Sequence, residues 1–205
     1  MSNTVGGDTA MRKEQLPAPL TTGRMSLEKT IARRRSEREF AQRPLTRKQI
    51  AQLCWAGQGI TAPQEGLRSA PSAGALYPIE LYTATGANVG HFQPSNNVIK
   101  QHVIGDIRPR LRQLAVNQKM ITQAPITFII VAEITRTARK YGNRAERYCF
   151  MEAGHVAQNM LLQATALHLG AVPIGAFEDR RVATLLKLPK GQRVLYLLTV
   201  GYLRR

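Results

Sequence analysis

The sequence predicts an α+β domain, rich in helix, with about four strands that do not strictly alternate with the helices. Three observations carry this. Residues 145–169 make one long helical stretch, with the small residues Ala153, Gly154 and Ala157 on one side where another backbone can come close. Pro125 opens an apolar run, Ile126 to Ala132, of strand length, while Ile79 to Ala84 alternates as a short strand. Val194 to Tyr202 reads as a last strand.

The other elements follow in chain order. Residues 1–24 carry no apolar segment of the kind a secretory signal needs and read as a flexible tail, so the cytoplasm is the expected address and 25–205 the single domain. Ser26 is placed to cap a helix running to about Arg35. Thr46 with Gln49 has capping-box spacing ahead of Ile50, Leu53, Cys54 and Gly57, a helix expected to stop near Gly57–Gly59. Ser69 to Gly74 is a small-residue loop, and the strand after it gives way to an irregular region. Ile107, Leu111, Leu114 and Ala115 share one helical face. A polar loop carrying Lys140 and Tyr141 precedes the long helix, and the strand after that helix stops at Ile174-Gly175-Ala176. Val182, Leu185 and Leu186 mark a short helix.

Composition excludes several classes. A chain of 205 residues buries a core without disulfide or metal staples. Its longest apolar runs fall far below the roughly 18 residues of a membrane span. The net charge of +16 attracts polyanions, but Lys and Arg are spread along the chain without an aromatic-interleaved patch or a helix-turn-helix signal, which argues against nucleic acid as the main partner. Cys54 and Cys149 sit among apolar residues and read as buried, reduced thiols. Glu152-x-x-His155 places two ligand types on one helical face, yet a di-iron site needs a second copy, so His155 reads as a packed or hydrogen-bonded histidine. No G-x-G-x-x-G follows a strand, no P-loop is present, and Ser72 lacks the context of a hydrolase nucleophile.

Six segments together resemble a known family: Arg34-Arg35-Ser36-x-Arg38-x-Phe40, Trp55 to Thr61, Arg68 to Pro78, Lys140-Tyr141-Gly142-x-Arg144, Glu152 to Asn159, and Ile174 to Phe177. In order and type they resemble the flavin-dependent nitroreductase superfamily, and within it the SagB-type or thiazole-oxazole oxidase branch, over residues 16 to 203. The resemblance implies a nitroreductase-like fold, a central and mostly antiparallel sheet flanked by helices, working as an intertwined homodimer with FMN at the subunit interface. It implies that Arg34, Arg35, Ser36 and Arg38 hold the FMN phosphate, for which forked guanidinium groups are suited. Arg34 and Arg38, four apart, share a helical face if the helix continues so far. Pro71, Ser72, Ala73 and Gly74 match the loop that reaches the flavin from the partner, and Pro173, Ile174, Gly175 and Ala176 the segment lying along its ring. Arg204 corresponds to basic residues that add phosphate contacts in relatives, with a frayed end as the alternative.

In azoline-oxidising relatives a Lys-Tyr pair at the position of Lys140 and Tyr141 is associated with proton removal while hydride goes to the flavin, and a cation beside a phenol favours loss of its proton. Adjacent side chains diverge on a helix or a strand, so the pair meets only if loop geometry bends it together; otherwise Tyr141 packs and Lys140 is solvated. The implied substrate is an azoline peptide or a small molecule, with NAD(P)H as electron donor if the protein is instead a stand-alone nitro or quinone reductase. A peptide substrate would call for a separate cyclodehydratase partner. A non-catalytic flavin-binding subunit and a basic nucleic-acid-associated protein stay open. The sequence departs from the family at His168 and Ala145, where glycine is usual, and in Val89 to Val98, where His91 and Phe92 replace a tyrosine-rich stretch expected near the substrate mouth.

Overall fold

A computed structural model describes residues 12–204. Nine strands are present among them: β1 (Lys13–Gln15), β2 (Ile60–Ala62), β3 (Leu67–Arg68), β4 (Ile79–Thr85), β5 (Asn88–Gln93), β6 (Val98–Ile104), β7 (Ile126–Glu133), β8 (Gly170–Ile174) and β9 (Gln192–Gly201). Seven form one sheet in the order β1-β6-β5-β4-β7-β9-β8, every neighbouring pair antiparallel, and β2 with β3 makes a separate hairpin. Seven helices surround them: α1 (Leu27–Arg33), α2 (Arg47–Gln58), α3 (Arg108–Leu114), α4 (Met120–Gln123), α5 (Ile134–Tyr141), α6 (Ala145–Ala166) and α7 (Asp179–Leu185). The predicted α+β class holds.

β7 explains its own sequence. Its apolar run, broken only by the buried Thr127, is unusual for an antiparallel strand, and it arises because helices cover both faces of the sheet. Ile126, Phe128, Ile130 and Ala132 join the cluster of Val156 and Met160 from α6 and Leu53 from α2. Ile129 and Val131 point the other way, into the cluster of Leu111 from α3 and Val182 from α7.

The small residues of α6 serve the fold's own interior. Ala153 and Ala157 are buried, whereas nothing lies within 4 Å of a Cβ built on Gly154, so the three do not share one packing face. The closest helix approach is made by α2: a Cβ at Gly57 would stand 2.9 Å from Met160 Sδ and 3.3 Å from Val156 Cγ1. Thr46 and Gln49 form the expected capping box, and Cys54 and Cys149 are buried and free. Burial pushes both thiols up from the ordinary value.

Several expectations are corrected. The irregular region after β4 is the β5–β6 hairpin, closed through Pro94–Asn96 and a left-handed Asn97, and Gly90 with the polar Lys100–Gln101–His102 stretch erases the alternation that would have marked it. Within Val89 to Val98, Phe92 is in the core and His91 is bonded to Glu80. The tail expectation runs too far, because β1 pairs with β6 from Lys13↔Lys100 to Gln15↔Val98, Leu16 is buried, and Asn97 Nδ2 donates to the carbonyls of Leu16 and Pro17. Residues 1–11 lie outside the described residues. The Lys140-Tyr141 pair closes a helix instead of riding a loop.

Gly57→Val is expected to destabilise by about 1–3 kcal/mol, the range for overfilling a packed core. It should appear as a lower urea midpoint at unchanged slope. An unchanged midpoint would show that α2 and α6 are not in this contact.

Candidate active site

The first cluster of candidate residues lies along the β8 edge of the sheet. α1, capped by Ser26, ends at Arg33, and Arg34 is already extended at φ −56°, ψ 123°. Ser36 then forms a parallel bridge to Ala171 of β8, and Glu37 N–H donates to the Ala171 carbonyl at 3.0 Å. The helix does not continue, so Arg34 and Arg38 do not share a helical face. Ser36 lies between them on the segment that bridges β8. No carboxylate pairs with Arg34, Arg38 or Arg204 among the described residues. Arg35 is engaged locally: its Nη1 donates to the carbonyls of Ala32 and Arg34 at 3.0 and 2.7 Å, closing the C-terminus of α1.

The same edge carries the other predicted segments. β8 ends at Ile174, and Gly175 and Ala176 are exposed beyond it. A Cβ at Gly175 would meet only the Tyr196 ring, at 3.8 Å, which leaves open space beside the backbone. Leu203 bridges Phe40, and Arg204 N–H reaches the Glu39 carbonyl at 3.3 Å, so Arg204 leaves the fold next to the arginine segment rather than fraying. His168 stands just past α6 at φ 57°, the left-handed position that usually favours glycine.

The second cluster surrounds the loop ahead of β4. Gly74, Ala75 and Tyr77 all have positive φ, at 62°, 53° and 48°. Such backbone costs about 1–2 kcal/mol per non-glycine residue and persists only where surroundings over-determine it. Here they do. Glu152, buried in α6, accepts the Ala73 N–H at 2.9 Å, Ser72 Oγ accepts the Tyr77 N–H at 2.8 Å, and Arg136 on α5 donates to the Tyr77 carbonyl. Burial raises the Glu152 carboxyl above the usual range, and the Ala73 N–H, the Ser72 hydroxyl and the His155 charge oppose it without cancelling it. His155 itself is exposed on the next turn rather than packed.

Lys140 and Tyr141 belong to this second cluster. A Cβ at Gly74 would sit 2.8 Å from Tyr141 Oη and 2.9 Å from Lys140 Nζ, so both side chains converge on that glycine although they are adjacent in sequence. The helix end resolves the geometric objection to the pair. Tyr141 at φ −114° and Gly142 at φ 51° break the helical course at the point where the two would diverge. Lys140 Nζ lies 5.6 Å from the Tyr141 ring centroid, and Tyr148 packs edge-on against that ring at 5.0 Å.

Within one chain the two clusters stay apart. β4 and β8 are separated by β7 and β9, and three inter-strand spacings of about 4.8 Å place them roughly 14 Å from each other.

Residues 31–202 match the nitroreductase family as a whole. The chain belongs to the nitroreductase family. It is 38% identical over 183 residues to a protein of Methanocaldococcus jannaschii described as a nitroreductase, covering 86% of this chain and 91% of that one. The crystal structure of a protein of Ralstonia eutropha, also described as a nitroreductase, superposes with a TM-score of 0.88 at 29% identity over 96% of this chain and 92% of its own. A chain of the E. coli microcin synthetase McbBCD complex with truncated pro-MccB17 bound shares the fold at TM-score 0.73 and 21% identity, over 92% of this chain and 77% of that chain. This member of the nitroreductase family is thus an oxidoreductase, and no described helix is long and apolar enough to cross a membrane.

The residues of the nitroreductase fit the flavin its family uses. Arginines with no carboxylate partner among the described residues flank Ser36, which bridges β8, and the same strand runs on to bare backbone at Gly175 and Ala176. Glu152 and Arg136, which shape the loop, were not among the predicted site residues; only the spacing of Glu152 in its motif could have flagged it.

Glu152→Ala is expected to cost about 1–3 kcal/mol by stranding the Ala73 N–H, with Glu152→Gln milder because it keeps an acceptor. The sign with pH is set by the raised carboxyl. Its contribution is fully present below the ordinary carboxylate value and is lost as pH rises through the raised one. Denaturation midpoints should lose that part of their pH dependence in Glu152→Gln, and an identical profile would exclude Glu152 as its source.

Proposed function

We propose that this nitroreductase-family oxidoreductase is a SagB-type dehydrogenase that holds FMN between two copies of the chain and oxidises an azoline-type substrate. The observation that carries the reading is the convergence of Tyr141 Oη and Lys140 Nζ on Gly74. A tyrosine and an ammonium aimed at that loop form a proton-accepting pair when the ammonium favours the phenolate, which takes up the proton and becomes the phenol, a device that simple nitro or quinone reduction with NAD(P)H does not need. Arg34, Ser36 and Arg38 would hold the phosphate, Pro173 to Ala176 the ring by backbone contact, and Arg204 would add positive charge at the same edge. FMN, when bound, supplies the hydride acceptor.

The separation of the clusters supports the homodimer. In one chain the Pro71 to Gly74 loop leads into β4, and β7 and β9 lie between β4 and the β8 edge, so a second copy is the natural source of that loop. An apolar face is available: Phe150 and Met151 on α6 are exposed beside the open Gly154, as are Leu27 and Ile31 on α1. In this arrangement Tyr141 takes the ring proton, Lys140 lies beside the phenol, and Glu152 and Arg136 keep the loop from relaxing.

Arg34→Ala with Arg38→Ala should strip FMN on dialysis, since each charge-assisted bond contributes roughly 1.5–3 kcal/mol. Full flavin occupancy after the double change would remove the phosphate assignment. Tyr141→Phe should keep the flavin and lower turnover of a thiazoline peptide by about 10² to 10⁴, with little effect on nitro or quinone reduction. Unchanged azoline oxidation leaves Tyr141 a packing role and favours the general reductase. Sedimentation at micromolar concentration should give a flavin-loaded dimer, and a loaded monomer would sink the shared-site reading.

A further inference from the structure

Arg68 is the least compensated charge near the loop. It ends β3, is partly buried, and directly precedes the Ser69 to Gly74 segment. Its Nη1 donates to the neutral Gln58 Oε1 at 2.6 Å, its backbone N–H donates to Tyr77 Oη at 3.1 Å, and its guanidinium lies 4.7 Å from the centre of the Tyr77 ring. No carboxylate pairs with it among the described residues. The neighbouring acid, Glu80, is engaged on both oxygens, by Arg136 Nη2 at 2.6 Å and His91 Nε2 at 2.8 Å. One guanidinium and one imidazole thus occupy that carboxylate, and none of it is left for Arg68.

A partly buried, unpaired cation is costly unless something completes it. Of the guanidinium nitrogens only Nη1 has a hydrogen-bond partner among the described residues, so the fork has donors left for a ligand. Burial pushes Arg68 below the usual guanidinium value, with Glu80 holding it up and Arg136 pushing it further down. An independent observation points the same way. Tyr77 is kept in left-handed backbone, fixed by Ser72 and Arg136, and that conformation is what lays its ring beneath the Arg68 guanidinium. Strained backbone sustained by several contacts is characteristic of ligand sites.

We propose that Arg68, seated on Tyr77 and backed by Arg136, is a subsite for a carboxylate of the substrate. Its planar fork suits two-point recognition of a carboxylate, and it stands in the strand that leads into the Pro71 to Gly74 loop, the loop on which Lys140 and Tyr141 converge. The subsite deepens the oxidoreductase reading above and rests on it for the identity of the substrate. The same fork could instead meet the negative pyrimidine edge of a reduced flavin, and the test separates the two sources.

The experiment compares 4-nitrobenzoate with 4-nitrobenzamide on the flavin-loaded protein, wild type, Arg68→Met and Arg68→Lys. The wild type should prefer the carboxylate, and Arg68→Met should lower kcat/KM for 4-nitrobenzoate about 10- to 100-fold more than for the amide. Arg68→Lys should recover part of the difference. Calorimetric binding of benzoate to the same proteins needs no turnover: binding that depends on Arg68 in protein without reductase activity would overturn the oxidoreductase reading and keep the subsite. Equal losses for acid and amide, or no benzoate binding by the wild type, would overturn the subsite. A lowered flavin potential in Arg68→Met without a change in acid preference would assign Arg68 to the flavin and overturn it as well.

Discussion

The left-handed backbone at Gly74, Ala75 and Tyr77, interrupted by a right-handed Leu76, is the constraint on which the site depends. Two of its residues are not glycine, which sets roughly 2–4 kcal/mol against the loop. A charge-assisted bond of roughly 1.5–3 kcal/mol from Glu152 and about 1 kcal/mol each from Ser72 and Arg136 offset that amount. The loop is held in one shape by partners from two helices, and with it the positions of Gly74, Tyr77, Lys140 and Tyr141. The Glu152 carboxyl, raised by burial, is the only buried acid in this cage.

Charge is distributed around that loop unevenly. Burial would raise the Glu80 carboxyl, but its bonds to His91 and Arg136 hold it below the usual carboxylate range, so it remains a charged hub between β5 and α5. Arg34 and Arg38 at the sheet edge, and Arg68 beside the loop, have no such partner. The excess of +16 is therefore placed in part where anionic ligands are expected, which gives the composition a meaning other than attraction for nucleic acid.

Elements with strong local signals were legible. The Thr46–Gln49 box, the long apolar period of α6 and the buried run of β7 each state their structure within a few residues. The β5–β6 hairpin was not legible, because Gly90 and the polar centre of β6 carry no alternation and the strands exist only through their neighbours. α5 was hidden for a related reason. Its sequence, ITRTARKY, is polar and short, and it is held by Thr137 against Cys149 and by Arg136 against Tyr77 and Glu80.

The sequence by itself determined the α+β class, the family motifs and the residue types any flavin site here must use. Motif chemistry is local, and a guanidinium or a phenol declares its capacity wherever it lies. The tertiary structure alone decided which of those groups meet. Two strands, β7 and β9, lie between β4 and the β8 edge, α1 stops before Arg34 so that the arginine segment leaves the helix and bridges β8 at Ser36, and the break at Tyr141 and Gly142 turns two adjacent side chains onto one glycine. These facts depend on sheet order and on backbone conformations fixed by distant partners, which no stretch of sequence contains.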